Sequence, residues 1–174
     1  MRKSTFCLTI AALAPALAVA PLSQAKALCI YRGDLYAKTT MAQEYEDSHW
    51  VVRARVTSET NSWTDARIDD DEAPWTTYRI EVLEAFKGGP PHTMTVFTWN
   101  DSGGFYLGPK NGAPRDPNEE YLLFLNPTGR FTDAPSEAAG TAMVNYNCGQ
   151  SKPWILLTAE DVEAFAEARR QARR

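Results

Sequence analysis

Apolar and polar positions alternate from Trp50 onward. Trp50, Val52, Ala54 and Val56 fall on one face, and Arg53, Arg55 and Thr57 fall on the other. A period of two predicts a half-buried strand over 50–57. The pattern returns with Tyr78, Ile80 and Val82 against Arg79 and Glu81, predicting a strand over 77–86, and it stops at Lys87-Gly88-Gly89-Pro90-Pro91, where glycine and proline end the ladder. Residues 93–99 are rich in threonine, valine and aromatics, 121–125 are apolar without a break, and 141–146 form a last β-rich run. Five strands with no helix between most of them predict a mainly β chain closing into a small barrel.

The pattern changes after Trp154. Thr158-Ala159-Glu160-Asp161 has an N-cap threonine and an acidic first turn, which predicts a C-terminal α-helix over about 158–170. Val162, Phe165 and Ala166 form its narrow apolar stripe, and Arg169, Arg170, Arg173 and Arg174 complement its C-terminus. Two stretches lack periodicity: 59–75, which carries Asp65, Asp69, Asp70, Asp71 and Glu72, and 100–118, dense in glycine, proline and asparagine. Both are expected as exposed loops.

Residues 1–27 resemble a secretory signal, with Arg2 and Lys3 before an apolar run from Leu8 to Val19 and small residues at Ala25 and Ala27. The run is too short and too broken by Pro15 and Pro21 for a stable membrane span. The expected mature chain is then one domain, 28–174, of a size that buries its own core, and it is secreted or periplasmic and monomeric. Losing Arg2, Lys3 and Lys26 leaves 15 basic against 22 acidic residues, so the charge moves from −4 to about −7 and nucleic acid is an unsuitable partner. Cys7 leaves with the signal, so Cys29 and Cys148 remain, and an oxidising compartment predicts a bridge between them.

Candidate chemistry is sparse. Asp101-Ser102-Gly103-Gly104 echoes the nucleophile segment of trypsin-like proteases, with His49 earlier in the chain. Those enzymes, however, need a histidine oriented by a buried aspartate and two barrels to assemble the triad. Asp69-Asp70-Asp71-Glu72 gathers hard oxygen ligands, yet consecutive acids cannot all face one ion and no central glycine follows the calcium-loop pattern. His49 and His92 are too far apart in sequence for a structural zinc cluster. The chain is accordingly expected to be no enzyme, to hold no metal site and to use no cofactor.

Several segments in order resemble the netrin-like branch of the OB-fold, specifically the N-terminal domain of the tissue inhibitors of metalloproteinases. They are Trp50-Val51-Val52-Arg53-Ala54-Arg55-Val56, Tyr78-Arg79-Ile80-Glu81-Val82 with Phe86-Lys87-Gly88, Glu120-Tyr121-Leu122-Leu123-Phe124-Leu125, and Cys148 followed by Pro153-Trp154. The resemblance spans 28–154. It implies a five-stranded, closed or partly open OB-fold barrel in which Cys148 receives the disulfide from Cys29. It also implies a binding end where the N-terminal segment and two loops converge, with Leu28, Ile30, Tyr31, Trp63, Trp75 and Phe105 as partner-binding residues. The departures matter. The inhibitors grip the protease zinc through an N-terminal cysteine bridged to a loop cysteine, whereas here Ala27 and a position at or near Gly103 stand in those places. An N-terminal segment held by one bridge predicts a non-catalytic protein-binding module rather than a tight inhibitor. A metalloendopeptidase inhibitor acting through the mature N-terminus is the sharper alternative. Glycan binding through Trp63, Trp75 and Trp99 is the second.

Overall fold

The computed structural model describes residues 29–35, 37–61, 75–99, 105–108, 116–132 and 134–172. The signal-like segment, Leu28, Trp63, the acidic run Asp69-Asp70-Asp71-Glu72 and Asp101-Ser102-Gly103-Gly104 lie outside the described residues. A hairpin of two short strands, β1 (Ile30–Tyr31) and β2 (Asp34–Leu35), precedes helix α1 (Met41–Asp47). Five strands follow: β3 (Trp50–Asn61), β4 (Trp75–Lys87), β5 (Thr93–Trp99), β6 (Glu120–Pro127) and β7 (Ala142–Val144). A short strand β8 (Lys152–Pro153) and helix α2 (Ala159–Gln171) come after them.

Pairing runs β3-β4-β5-β7-β6 and returns from β6 to β3, antiparallel everywhere except between β5 and β7. This is a closed five-stranded mixed barrel with the strand order of an OB-fold, built from the five predicted β-rich runs, although β3 continues to Asn61 and β4 begins at Trp75, inside the stretch expected as a loop. The first of them must bond on both sides, so Val52 faces Ala85 on one neighbour and Leu123 on the other. Three register shifts along β3 against β4 bend it around the barrel. The last strand is shorter than 141–146 suggests, because the chain leaves the sheet after Val144 and Tyr146 is buried with its hydroxyl donating to Ala37 O at 3.1 Å.

The interior holds Val52, Ala54 and Val56 against Ile80, Val96, Leu123 and Leu125. A second cluster sits outside the barrel wall, where Val51, Leu122 and Phe124 pack against Met41 and Tyr45 of α1 and Phe165 and Ala168 of α2. Two covered faces explain why β6 is apolar without a break from Tyr121 to Leu125. Helix α1 was not foreseen, although it carries a capping box: Thr40 Oγ1 accepts from Gln43 N and Gln43 Oε1 accepts from Thr40 N. Its far end is capped in trans, since Lys87 Nζ donates to the carbonyls of Tyr45 (2.5 Å) and Glu46 (2.8 Å).

Helix α2 begins as predicted, with Thr158 and Asp161 in a second capping box. Its buried stripe is shifted: Phe165 and Ala168 are inside, Ala166 is half-buried and Val162 is 54% exposed. The helix docks through the part where Phe165 meets Tyr45, Phe86 and Phe124, which leaves its first turn beyond the cluster. Arg169 lies over Phe86, its guanidinium carbon 4.8 Å from the ring centre, instead of only complementing the helix end. At Gly88, where φ is +73°, a Cβ would come within 2.6 Å of His49 O and 2.8 Å of Trp50 Cδ1, so only glycine fits the turn out of β4.

Candidate functional site

Cys29 and Cys148 form a disulfide that closes 119 residues of sequence. The bridge fixes the base of the β1–β2 hairpin, whose turn residues Arg32 (φ 51°) and Gly33 (φ 90°) both have positive φ, as in a type I′ turn. The hairpin is held at three further points. Tyr31 packs its ring on Tyr146 at 5.1 Å, Tyr31 Oη donates to Asp47 Oδ2, and Arg32 engages both oxygens of the same carboxylate. The segment expected to hang from one bridge is therefore anchored to the end of α1 as well. Burial, together with the bond to Asp47, pushes the Tyr31 hydroxyl up to about 12, so it stays a neutral donor. Burial opposes ionisation of Asp47, but the bonds from Tyr31 and Arg32 and the charges of Arg32 and Arg130 outweigh it and hold the carboxyl below its ordinary range.

What this scaffold displays is apolar. Ile30 and Leu35 are directly opposed across the hairpin, so their side chains share a face, and they are 54% and 59% exposed. Ile30 also lines an open groove of about 340 Å³ between the hairpin, the end of α1, the end of β6 with the turn after it, and the segment after β7. Its polar lining is a chain of bonds. Arg130 Nη1 donates to Asn126 Oδ1 at 2.6 Å and to Asp47 O at 3.2 Å, and Asn126 Nδ2 donates to Asn145 Oδ1 at 2.7 Å. Phe131 and Ile30 supply the apolar part of the lining, and Phe131 also packs against the Phe97 cluster, as do Trp75 and Trp99.

Under the hairpin's anchor lies a fully buried carboxylate. Glu44 Oε1 accepts from Thr39 Oγ1 and from Gln150 N at 2.8 Å, while its Oε2 has no partner among the described residues. Burial raises the acid to about 7, even though the Thr39 and Gln150 bonds and the charge of Lys152 favour the ionised form; Asp47 adds to the rise. Gly149 is packed directly on this carboxylate, and a Cβ there would overlap Glu44 Oε1 and lie 2.6 Å from its Cδ.

Of the residues expected at a binding end, Ile30 and Tyr31 meet at the groove, Ile30 outward and Tyr31 half-buried as an anchor. Trp75 and Phe105 do not join them. Trp75 is half-buried, stacks on Phe97 at 6.2 Å and opposes Trp99 across β4 and β5. Phe105 packs against the barrel interior, with its carbonyl accepting from Thr98 Oγ1 at 2.5 Å. Leu28 and Trp63 lie outside the described residues. Arg32 belongs to the N-terminal segment expected there, whereas Leu35, Asp47, Asn126 and Arg130 were missed as site residues. The available signal was the Arg32-Gly33 pair between Ile30-Tyr31 and Asp34-Leu35, a hairpin turn flanked by apolar positions.

The segments that carry the family resemblance have structural jobs here. Phe86 stacks on Trp154 at 6.2 Å, Lys87 caps α1, Gly88 permits the tight turn, Glu120 pairs with Arg53, and Arg53 covers Trp154 at 4.5 Å. His49 packs its ring on Trp50, and His92 lies 3.5 Å from Glu81. Among the described residues no three His, Cys, Asp or Glu side chains are grouped to hold a metal ion, and no helix is long and apolar enough to cross a membrane. No protein-family model matches the chain, and no curated protein matches it either.

Proposed function

We propose that this chain is an extracytoplasmic, non-catalytic protein-binding module that uses its β1–β2 hairpin and the groove beneath it as the recognition surface. One observation carries the reading: two large apolar side chains, Ile30 and Leu35, are more than half exposed on a hairpin fixed by a disulfide, a tyrosine pair and a bidentate ion pair. Exposed apolar groups on a rigid support lose little ordering entropy on association, which is the usual basis of a preorganised binding surface. The barrel, the Cys29–Cys148 bridge and the likeness of the strand motifs to the tissue inhibitors of metalloproteinases support the same reading. So does the signal-like start of the sequence.

Affinity capture from the native envelope or culture medium tests it, with wild type compared against the pair Ile30→Asp and Leu35→Asp and against a control, Leu83→Asp, on an exposed position of β4. A partner held by wild type and by the control, and lost with the hairpin pair, supports the module. Equal capture by all three proteins sinks it. Titrating the mature protein against a panel of zinc peptidases in parallel decides whether the partner is a metallopeptidase.

A further inference from the structure

We propose that the groove under the hairpin binds an acidic side chain of the partner protein, with the carboxylate on Arg130 and a neighbouring apolar residue between Ile30 and Phe131. The proposal rests on the binding-module reading and names the chemistry that its surface selects.

Among the described residues the charges lining the groove are Arg32, Arg130 and Asp47, a local excess of one positive charge in a chain whose formal net charge is −4. The two arginines are not equivalent. Arg32 is already paired, with Nε and Nη2 on the two oxygens of Asp47. Asp47 is satisfied in turn by Arg32 and Tyr31. Arg130, by contrast, makes its side-chain bonds to neutral acceptors, a backbone carbonyl and the Asn126 amide, and both come from Nη1. Among the described residues no acceptor meets its Nη2 or Nε. A guanidinium positioned by neutral groups keeps its charge and its remaining donors for a ligand, and its planar fork matches a carboxylate.

The amide chain behind it fixes that geometry. Asn126 also accepts from His49 N at 2.8 Å, and Asn145 takes the Asn126 amide while its own Nδ2 has no partner among the described residues. The volume of about 340 Å³ is near the lower end of small-molecule sites, roughly 300 to 1,000 Å³, which suits a side chain and its neighbour. One arginine charge in excess of the Asp47 carboxylate, beside the apolar side chains of Ile30 and Phe131, favours a carboxylate next to an apolar residue over a multiply charged phosphate.

The test is a nitrogen-15 NMR titration of the disulfide-bonded protein. The probes are a capped tripeptide of leucine, aspartate and leucine, its counterpart with asparagine in the centre, and inorganic phosphate. The expected result is saturable shifts at the amides of Ile30, Arg130 and Phe131 with the aspartate peptide, and binding at least tenfold weaker with the asparagine peptide and with phosphate. Arg130→Gln should weaken the aspartate peptide tenfold or more, while Lys38→Gln on an exposed position should leave it unchanged. The asparagine peptide on wild type keeps the test decisive should Arg130→Gln fold poorly. Equal binding of both peptides, no saturable shift with either, or phosphate binding as tightly as the aspartate peptide would overturn the proposal. Such a failure, with partner capture still lost in the hairpin variants, removes the groove assignment alone. Capture unaffected by those variants removes the binding-module reading, and the groove's occupant with it.

Discussion

Replacing Glu44 by glutamine should stabilise the protein at alkaline pH and do little in acid. Glu44 is fully buried, its Oε2 has no partner among the described residues, and burial holds its acid near 7 where 4.5 is ordinary. The folded state therefore keeps a proton that the unfolded state releases, so the stability from this group is complete below about pH 4.5 and is lost as pH rises through about 7. At 1.36 kcal/mol per tenfold change in proton affinity, the loss by pH 8.5 is about 3 kcal/mol. Glutamine keeps the acceptor for Thr39 and Gln150 and cannot ionise. Urea unfolding of both proteins should give a stability difference that widens by about 2 to 3 kcal/mol between pH 5 and pH 8.5. In thermal scans the same gap is worth roughly 5 to 10 °C for a chain of this size. Taking the difference between the two proteins cancels every other titrating group. A gap that stays constant across this range, or a glutamine variant less stable at pH 8.5, would refute the reasoning.

Cys148→Ser opens a loop of 119 residues and should lower stability by about 2 to 5 kcal/mol in urea unfolding, with the chain-entropy value as the upper end. Gly149→Ala forces a Cβ into the Glu44 carboxylate and should cost about 1 to 3 kcal/mol, with a smaller cost when Glu44 is also made alanine. Phe165→Ala removes the ring shared by Tyr45, Phe86 and Phe124 and should cost about 3 to 5 kcal/mol, while Val162→Ala at an exposed site should stay within about 0.5 kcal/mol.

The barrel was legible because each of its strands has one face on a common interior, so Val52, Ala54 and Val56 announce themselves by period, as do Tyr78 and Ile80. Helix α1 was harder to see. Seven residues give less than two full turns of pattern, and its buried positions include a glutamate, which breaks the apolar stripe a sequence reading looks for. The shifted stripe of α2 has a similar cause. Val162 has the right spacing for the core, but only contact with α1 and Phe86 decides which part of the helix is covered. The candidate site was half visible. Ile30 and Tyr31 follow from their nearness to Cys29, whereas Asp47, Asn126, Arg130 and Asn145 are brought to them from three separate segments by the closure of the barrel. Trp75 shows the reverse case. Next to an acidic run of sequence it looks like an interface anchor, yet pairing with Trp99 and stacking on Phe97 give it a packing role.

Site-specific photo-cross-linking tests the central claim, that the pinned hairpin is the surface a partner protein meets. A photoreactive residue is placed singly at Ile30, Leu35, Leu83 or Ile155, four exposed apolar positions of which the first two share the hairpin. The proteins are then irradiated in the compartment where the chain resides. The account predicts one discrete adduct of the same mass from Ile30 and Leu35, lost when Cys29 is replaced by serine, and no such adduct from Leu83 or Ile155. Adducts of equal yield from all four positions, or from Leu83 and Ile155 alone, would contradict it.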